Sequence, residues 1–196
     1  MRNNKCYGVG INDADFATAI NKKNIPSYEY WRGVLRRCYS ELEHQKRPLY
    51  KGCTVCEEWL YFTNFHRWFL EQDVPKGWQI DKDILNKGNK HYSPENCVFV
   101  EQALNTFLTD CTRKRGEYKI GVFYNKKKRK FIAQCQGVDS RKKMHLGNFD
   151  NENDAYVEYM RYKHEQAMIW VSRIKNNDLY KRKDELCQSL STRFLL

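Results

Sequence analysis

The residues whose types and spacing can do chemistry fall in one stretch, 78–108, WQIDKDILNKGNKHYSPENCVFVEQALNTFL. Asp81, Lys82 and Asp83 come in succession, His91 follows in a polar segment, Asn96 precedes an apolar run, and Asn105 lies beyond it. Two carboxylates, amides and an amine on one surface suit a hard divalent cation and a phosphodiester better than an apolar ligand. Hard cations take oxygen donors, and phosphate takes positive charge. Bringing these groups together requires a strand at 79–85, a polar loop at 86–95, a short apolar strand at 97–100 and an amphipathic helix at 101–108. The loop carries the turn formers Gly88, Asn89, Ser93 and Pro94, which punctuate periodic segments.

The order Asp81-Lys82, then Glu95-Asn96-Cys97, Val100 and Asn105 resembles the HNH endonucleases, whose catalytic unit is a ββα-metal hairpin and helix. The whole chain is similar to small phage-encoded HNH homing-endonuclease-like proteins that carry a second DNA-binding domain. The resemblance implies that Asp81 and Asn105 are metal ligands, for Mg²⁺ or Mn²⁺, and that Asn96 pins the hairpin loop. Lys82 stands where most HNH enzymes have the catalytic His. A lysine acts as a base only when desolvation or nearby positive charge lowers its pKa, whereas the flanking Asp81 and Asp83 stabilise the ammonium. Lys82 therefore reads as an electrostatic stabiliser of the transition state, with Asp83 or His91 as the base. His91 has a plainer reading too, as a solvated loop histidine.

The 196 residues suffice for one ordinary domain or two small ones. A hydrophobic content of 41% with 14% aromatics supports a packed core. The net charge of +11 is concentrated: residues 112–147 hold twelve Lys and Arg against two acids. Such a footprint points to a polyanion. No apolar run is long enough to span a bilayer, so the expectation is a protein with no membrane partner. The resemblance places it in the cytoplasm of a bacterial host. The eight cysteines form no disulfide framework, in keeping with a reducing compartment.

Residues 1–25 show little periodicity. A helix is expected after Pro26, capped by Ser27, with Tyr30, Trp31, Val34, Leu35 and Cys38 on one face and Arg32, Arg36 and Arg37 off it. The plain reading of those arginines is a solvated basic side; the functional one is phosphate contact. Residues 41–52 read as a loop. In 53–69, Trp59, Phe62, Phe65, Trp68 and Phe69 recur at helical steps, a core face before a stacking platform. Cys53 and Cys56 form a single close pair, and Cys97 has no partner two to four residues away. A structural zinc needs two such pairs, so the spacing argues against it.

After a charged linker at 112–117 the pattern changes to short strands at 119–124, 130–136 and 142–149, with a helix from about residue 151 capped by Asp150. Alternation in the middle strand puts Phe131, Ala133 and Cys135 on one face and Lys130, Ile132, Gln134 and Gln136 on the other. Ala155, Tyr159, Tyr162 and Gln166 form a helix stripe that can cover the apolar face. The phrases IGVFY, KFIAQCQ and KKMHLGNFDNENDAY resemble the plant ethylene-response-factor (Apetala-type) DNA-binding domain. In that domain a three-stranded sheet enters the major groove with a helix behind it. The resemblance makes Phe123, Asn125, Lys130, Gln134, Gln136, Lys143 and His145 groove-facing. The plant domains use Arg and Trp at several of these positions, so the preference here differs, with glutamine suited to adenine edges. Lys126, Lys127, Lys128, Arg129, Arg141 and Lys142 add phosphate contacts.

The fold expected is α+β: a helical and ββα-metal HNH-like domain at 1–111, the linker at 112–117, a three-stranded antiparallel sheet plus helix at 118–173, and a helical tail at 174–196. The leading function is a metal-dependent DNA endonuclease, acting on double-stranded DNA as a monomer or weak dimer without a small-molecule cofactor. One ββα unit holds one metal and cuts one strand, so a nick is expected. The alternative is a DNA-binding regulator derived from such a nuclease. RNA binding is weaker, for want of an aromatic pair on the exposed sheet face.

Overall fold

The computed structural model describes residues 5–109, 117–140 and 142–195. Residues 112–116 of the expected linker, and Arg141, lie outside the described residues. The chain is mixed α+β and divides into two compact units, Met1–Glu101 and Gln102–Leu196. Among the described residues no helix is long and apolar enough to cross a membrane.

The first unit opens with the hairpin β1 (Ala19–Ile20) and β2 (Lys23–Asn24), turned by Asn21 and Lys22 at positive φ. Two-residue strands carry too little alternation to show in sequence, and so the segment reads there as featureless. Helix α1 (Pro26–Tyr39) buries Trp31, Val34, Leu35 and Cys38, as the three- and four-residue spacing requires. Its cap is Ile25, not Ser27: Pro26 takes the first turn, where its fixed φ and missing N–H cost nothing. Ser27 is thereby freed, and its hydroxyl meets His66 Nδ1 at 2.8 Å.

Residues 41–52, expected as a loop, contain helix α2 (Glu41–Lys46) and a 3-10 turn at Pro48–Tyr50. Ser40 supplies the signal for α2, its hydroxyl accepting from the Glu43 N–H at 3.3 Å. Strand β3 (Thr54–Val55) follows. The aromatic stretch is not one helix. Trp59 sits in a 3-10 turn at Glu58–Leu60, and α3 (Phe62–Glu71) begins after it. The rings still build the core. Trp31 donates from Nε1 to the Trp59 carbonyl at 2.7 Å, and the Trp59 and Trp68 rings lie 4.5 Å apart.

Strands β4 (Gln79–Asp81) and β6 (Val98–Val100) pair antiparallel with Ile80 opposite Phe99. Phe99 packs edge-on to Tyr30 and Phe69, which seats the hairpin on α1 and α3. Between them β5 (His91–Tyr92) pairs parallel with β3.

The second unit starts with α4 (Gln102–Leu108), so the helix that carries Asn105 clusters with the C-terminal half of the chain. Strands β7 (Val122–Asn125), β8 (Lys130–Gln136) and β9 (Lys143–Phe149) form one antiparallel sheet in that order. Helix α5 (Glu152–Lys175) backs it, with Ala155 packed on Val122 and Ala133. Its cap is Asn151, whose side chain accepts from the Asp154 N–H at 2.9 Å. Asp150 is occupied elsewhere, by Lys130. Gly121 has φ +78°, and a Cβ there would stand 2.0 Å from the Tyr159 ring; only glycine allows the strand to start so close to the helix. The expected tail is a packed element. Helix α6 (Lys183–Thr192) buries Leu186, Cys187 and Leu190, as α5 buries Trp170, Val171 and Ile174. The polar, mixed-charge outer faces of these helices hide that apolar seam from a reading by composition.

Candidate catalytic loop and nucleic-acid face

Strand β4 ends at Asp81 because Asp81 itself turns the chain. Its Oδ1 accepts from the Asp83 N–H at 2.8 Å and from the Ile84 N–H at 2.9 Å, a side-chain-capped turn that competes with strand pairing. The strand expected at 79–85 is therefore three residues long. Burial first, and the Asp83 carboxylate second, push Asp81 up to about 6. Lys82 does not face solvent. Its side chain is 9% exposed, its ammonium lies 3.2 Å from Asp83 Oδ2, and Nζ stands 5.8 Å from the centre of the Tyr92 ring. A carboxylate and a π face both favour a cation at this place.

Asn89, a turn former by residue type, ties the loop. Its Nδ2 donates to the Lys82 carbonyl at 2.7 Å and to the His91 carbonyl at 2.8 Å, and its Oδ1 accepts from the His91 N–H at 3.1 Å. One amide thus holds both ends of the loop. Asn96, expected in that role, also spans the loop, by a longer contact: it donates to Ser93 Oγ at 3.1 Å and accepts from Asn86, ten residues earlier, at 3.4 Å. His91 is fixed by its Nδ1 contact with Thr54 Oγ1 at 2.8 Å across the β3–β5 pair. Its Nε2 has no hydrogen-bond partner among the described residues. The structure thus brings Asp81, Lys82, Asp83 and His91 onto one turn and loop. Asn105 lies on α4 in the other unit.

Arg37, for which sequence leaves a solvated side or a phosphate contact, turns inward. It hydrogen-bonds the Tyr92 side chain and lies 5.7 Å from the centre of the Tyr50 ring, and its Nε is buried without a partner among the described residues. Arg36 instead lies 3.5 Å from Glu43. The seven described cysteines are free. Burial pushes the Cys38 thiol up to about 12 and the Cys56 thiol up to about 11.

Among the described residues no group of three or more His, Cys, Asp and Glu side chains is arranged to hold a metal. The donors at hand are oxygens. Mg²⁺ keeps several waters and takes only one or two carboxylates, so Asp81 with Asp83 is a donor set of the right chemistry. Two carboxylates close enough to raise a pKa carry the surplus negative charge that such a cation relieves.

On the sheet of the second unit, register sorts the expected DNA-binding residues. Phe131 and Ala133 face α5, so the opposite face carries Phe123, Ile132 and Asn148 in one row, Gln134 and His145 in the next, and Gln136 and Lys143 in a third. A bulge between Ala133 and Gln134 keeps His145 on the outer face although Leu146 and Gly147 intervene before Asn148. Three of the expected readers have partners inside the unit. Asn125 Oδ1 accepts from the Lys128 N–H at 3.0 Å, Lys130 pairs with Asp150, and Gln136 donates to the Ser140 carbonyl at 2.9 Å. Gln134 has none among the described residues, and His145 meets Asn148 at 3.2 Å. Asn148 was not expected; its place opposite Ile132 follows from the bulge, which sequence does not signal. Lys126, Lys127, Lys128 and Arg129 are exposed in the β7–β8 hairpin, as are Lys142 and Lys143 at the other end.

Comparison of the chain with protein-family models, with curated proteins and with solved structures returns no match.

Proposed function

We propose that the chain is a metal-dependent DNA endonuclease of the HNH kind that nicks one strand per site, with the second unit as its double-stranded DNA-binding module. The observation that carries the reading is the Asn89 bridge, which holds the Asp81–Asp83 turn and His91 on one loop. Asp81 and Asp83 are the residues that would hold Mg²⁺ or Mn²⁺. When bound, the cation supplies charge stabilisation at the scissile phosphate and the leaving oxygen. Thr54 orients the His91 ring, and in the tautomer whose Nδ1–H donates to the Thr54 hydroxyl, Nε2 is the acceptor for a water proton. Lys82, held against Asp83 and Tyr92, keeps the carboxylate pair in place and is a positioning residue. Asn105 as a further ligand rests on the resemblance alone, and Asn105→Ala tests it in the assay below.

A second reading, a DNA-binding regulator with a lapsed catalytic loop, is favoured by one observation. The position where the HNH family has its catalytic His is here a lysine buried in the unit.

The test is purified protein on supercoiled plasmid carrying phage DNA, with Mg²⁺ or with EDTA, beside Asp81→Ala, Lys82→Ala and His91→Ala. The expected outcome is open-circle product that needs metal, disappears with Asp81→Ala and falls about a hundredfold or more with His91→Ala. Intact plasmid throughout, with salt-sensitive retardation in a gel, moves the assignment to the regulator.

A further inference from the structure

The outer face of the β7–β8–β9 sheet has an apolar centre between basic ends. Phe123, 37% exposed, lies directly across from Ile132, which is 6% exposed. The lysines and arginine of the β7–β8 hairpin flank this row on one side, and Lys142 and Lys143 lie at the other end of the sheet. Such a layout matches a duplex with phosphates at the two edges of a groove and base edges between them. Of the amides on this face, Gln134 is the one whose side chain has no hydrogen-bond partner among the described residues. It stands two residues beyond Ile132 on the same strand and face.

In the major groove only thymine presents a methyl group, and adenine presents the N6 donor and N7 acceptor that a glutamine amide matches bidentately. Two residues along a strand span about 6.6 Å, close to two base steps of about 3.4 Å each. We propose that Phe123, opposite the buried Ile132, reads a thymine methyl and that Gln134 reads an adenine about two steps away, so that the sheet selects A·T pairs. This rests on the reading of the second unit as a duplex-DNA module. It holds whether or not the first unit cuts.

The test uses the full chain in EDTA, so that cleavage plays no part. Duplexes are selected from a randomised pool. The enriched site is then resynthesised with deoxyuridine for thymine at one position at a time, which removes only the methyl, and with purine for adenine, which removes only the N6 amine. The expected result is enrichment of A·T pairs, and at one position a loss of about fourfold in affinity on deoxyuridine substitution. That loss is absent in Phe123→Ala and kept in Phe123→Leu, which retains an apolar side chain. The purine substitution weakens the wild type and leaves Gln134→Ala unchanged. Melting curves confirm that the variants fold.

Selected sites without A·T pairs, or deoxyuridine tolerated at every position by the wild type, would overturn the inference while leaving DNA binding intact. Tighter binding to single-stranded RNA than to any duplex overturns it as well. No retention of duplex DNA at all removes the DNA-binding reading itself, and this inference with it.

Discussion

Asp81 is the residue on which most of the proposed chemistry turns, and its titration is open to measurement. In the metal-free fold its carboxyl is pushed up to about 6 from an ordinary 3.8. The folded chain therefore binds more protons than the unfolded one between those values. The contribution of this group to stability is full below about pH 4 and is lost as pH climbs through about 6. Asp81→Asn keeps the acceptor for the Asp83 and Ile84 N–H groups and removes the buried charge. In EDTA at pH 8 it should be more stable than the wild type by up to about 3 kcal/mol, and the difference should vanish below about pH 4. Melting temperatures of the two proteins across that range check it; equal pH profiles would refute the buried-anion account. Asn89 and Asn96 separate by the same physics. Asn89→Ala orphans two carbonyls and an N–H of the loop and should cost about 2 kcal/mol in urea unfolding, against less than about 1 kcal/mol for Asn96→Ala.

At the scale of elements, α4 is seven residues long, too short to persist without support. Its closing carbonyls are met one by one. Thr109 Oγ1 donates to the Asn105 carbonyl at 2.8 Å, the Thr109 N–H to the Thr106 carbonyl at 3.2 Å, and Lys163 Nζ of α5 to the Phe107 carbonyl at 2.6 Å. The same ammonium stands 3.6 Å from the centre of the Phe107 ring, and Phe194 meets that ring edge-on at 5.7 Å. The C-terminal segment is therefore part of what holds the helix that carries Asn105. Lys163→Met or Phe194→Ala should speed amide exchange in 102–108 about tenfold or more relative to the wild type, while exchange in β8 stays as it was. Unchanged exchange in α4 would show that its other contacts suffice. The element boundaries follow the same logic of local satisfaction: Asp81 ends a strand by capping a turn, Ser40 starts α2, and Asn151 starts α5 in place of its neighbour.

Across the whole molecule, the positive charge is the property with the longest reach. Most of it lies in residues 112–147, and the proposed partner is a polyanion. Duplex binding should weaken steeply with salt, and each phosphate-contacting lysine removed should lower the slope of log affinity on log salt by about 1. Replacing Lys126, Lys127 and Lys128 together by Gln should thus flatten the slope by about 3, seen by fluorescence anisotropy from low to moderate salt. A slope unchanged by the triple substitution would take the hairpin out of the interface. What sequence alone determined is whatever depends on neighbours along the chain. That covers the apolar stripe of α1, the alternation of β8 and the concentration of charge. Tertiary structure decided whatever depends on which side chain another part of the chain reaches first. Asn89 ties the loop beside Asn96, Lys82 and Arg37 turn inward, and Lys130 and Gln136 are engaged within their own unit. Most buried polar groups find a partner, and that partner comes from the folded surroundings, which spacing in sequence does not encode.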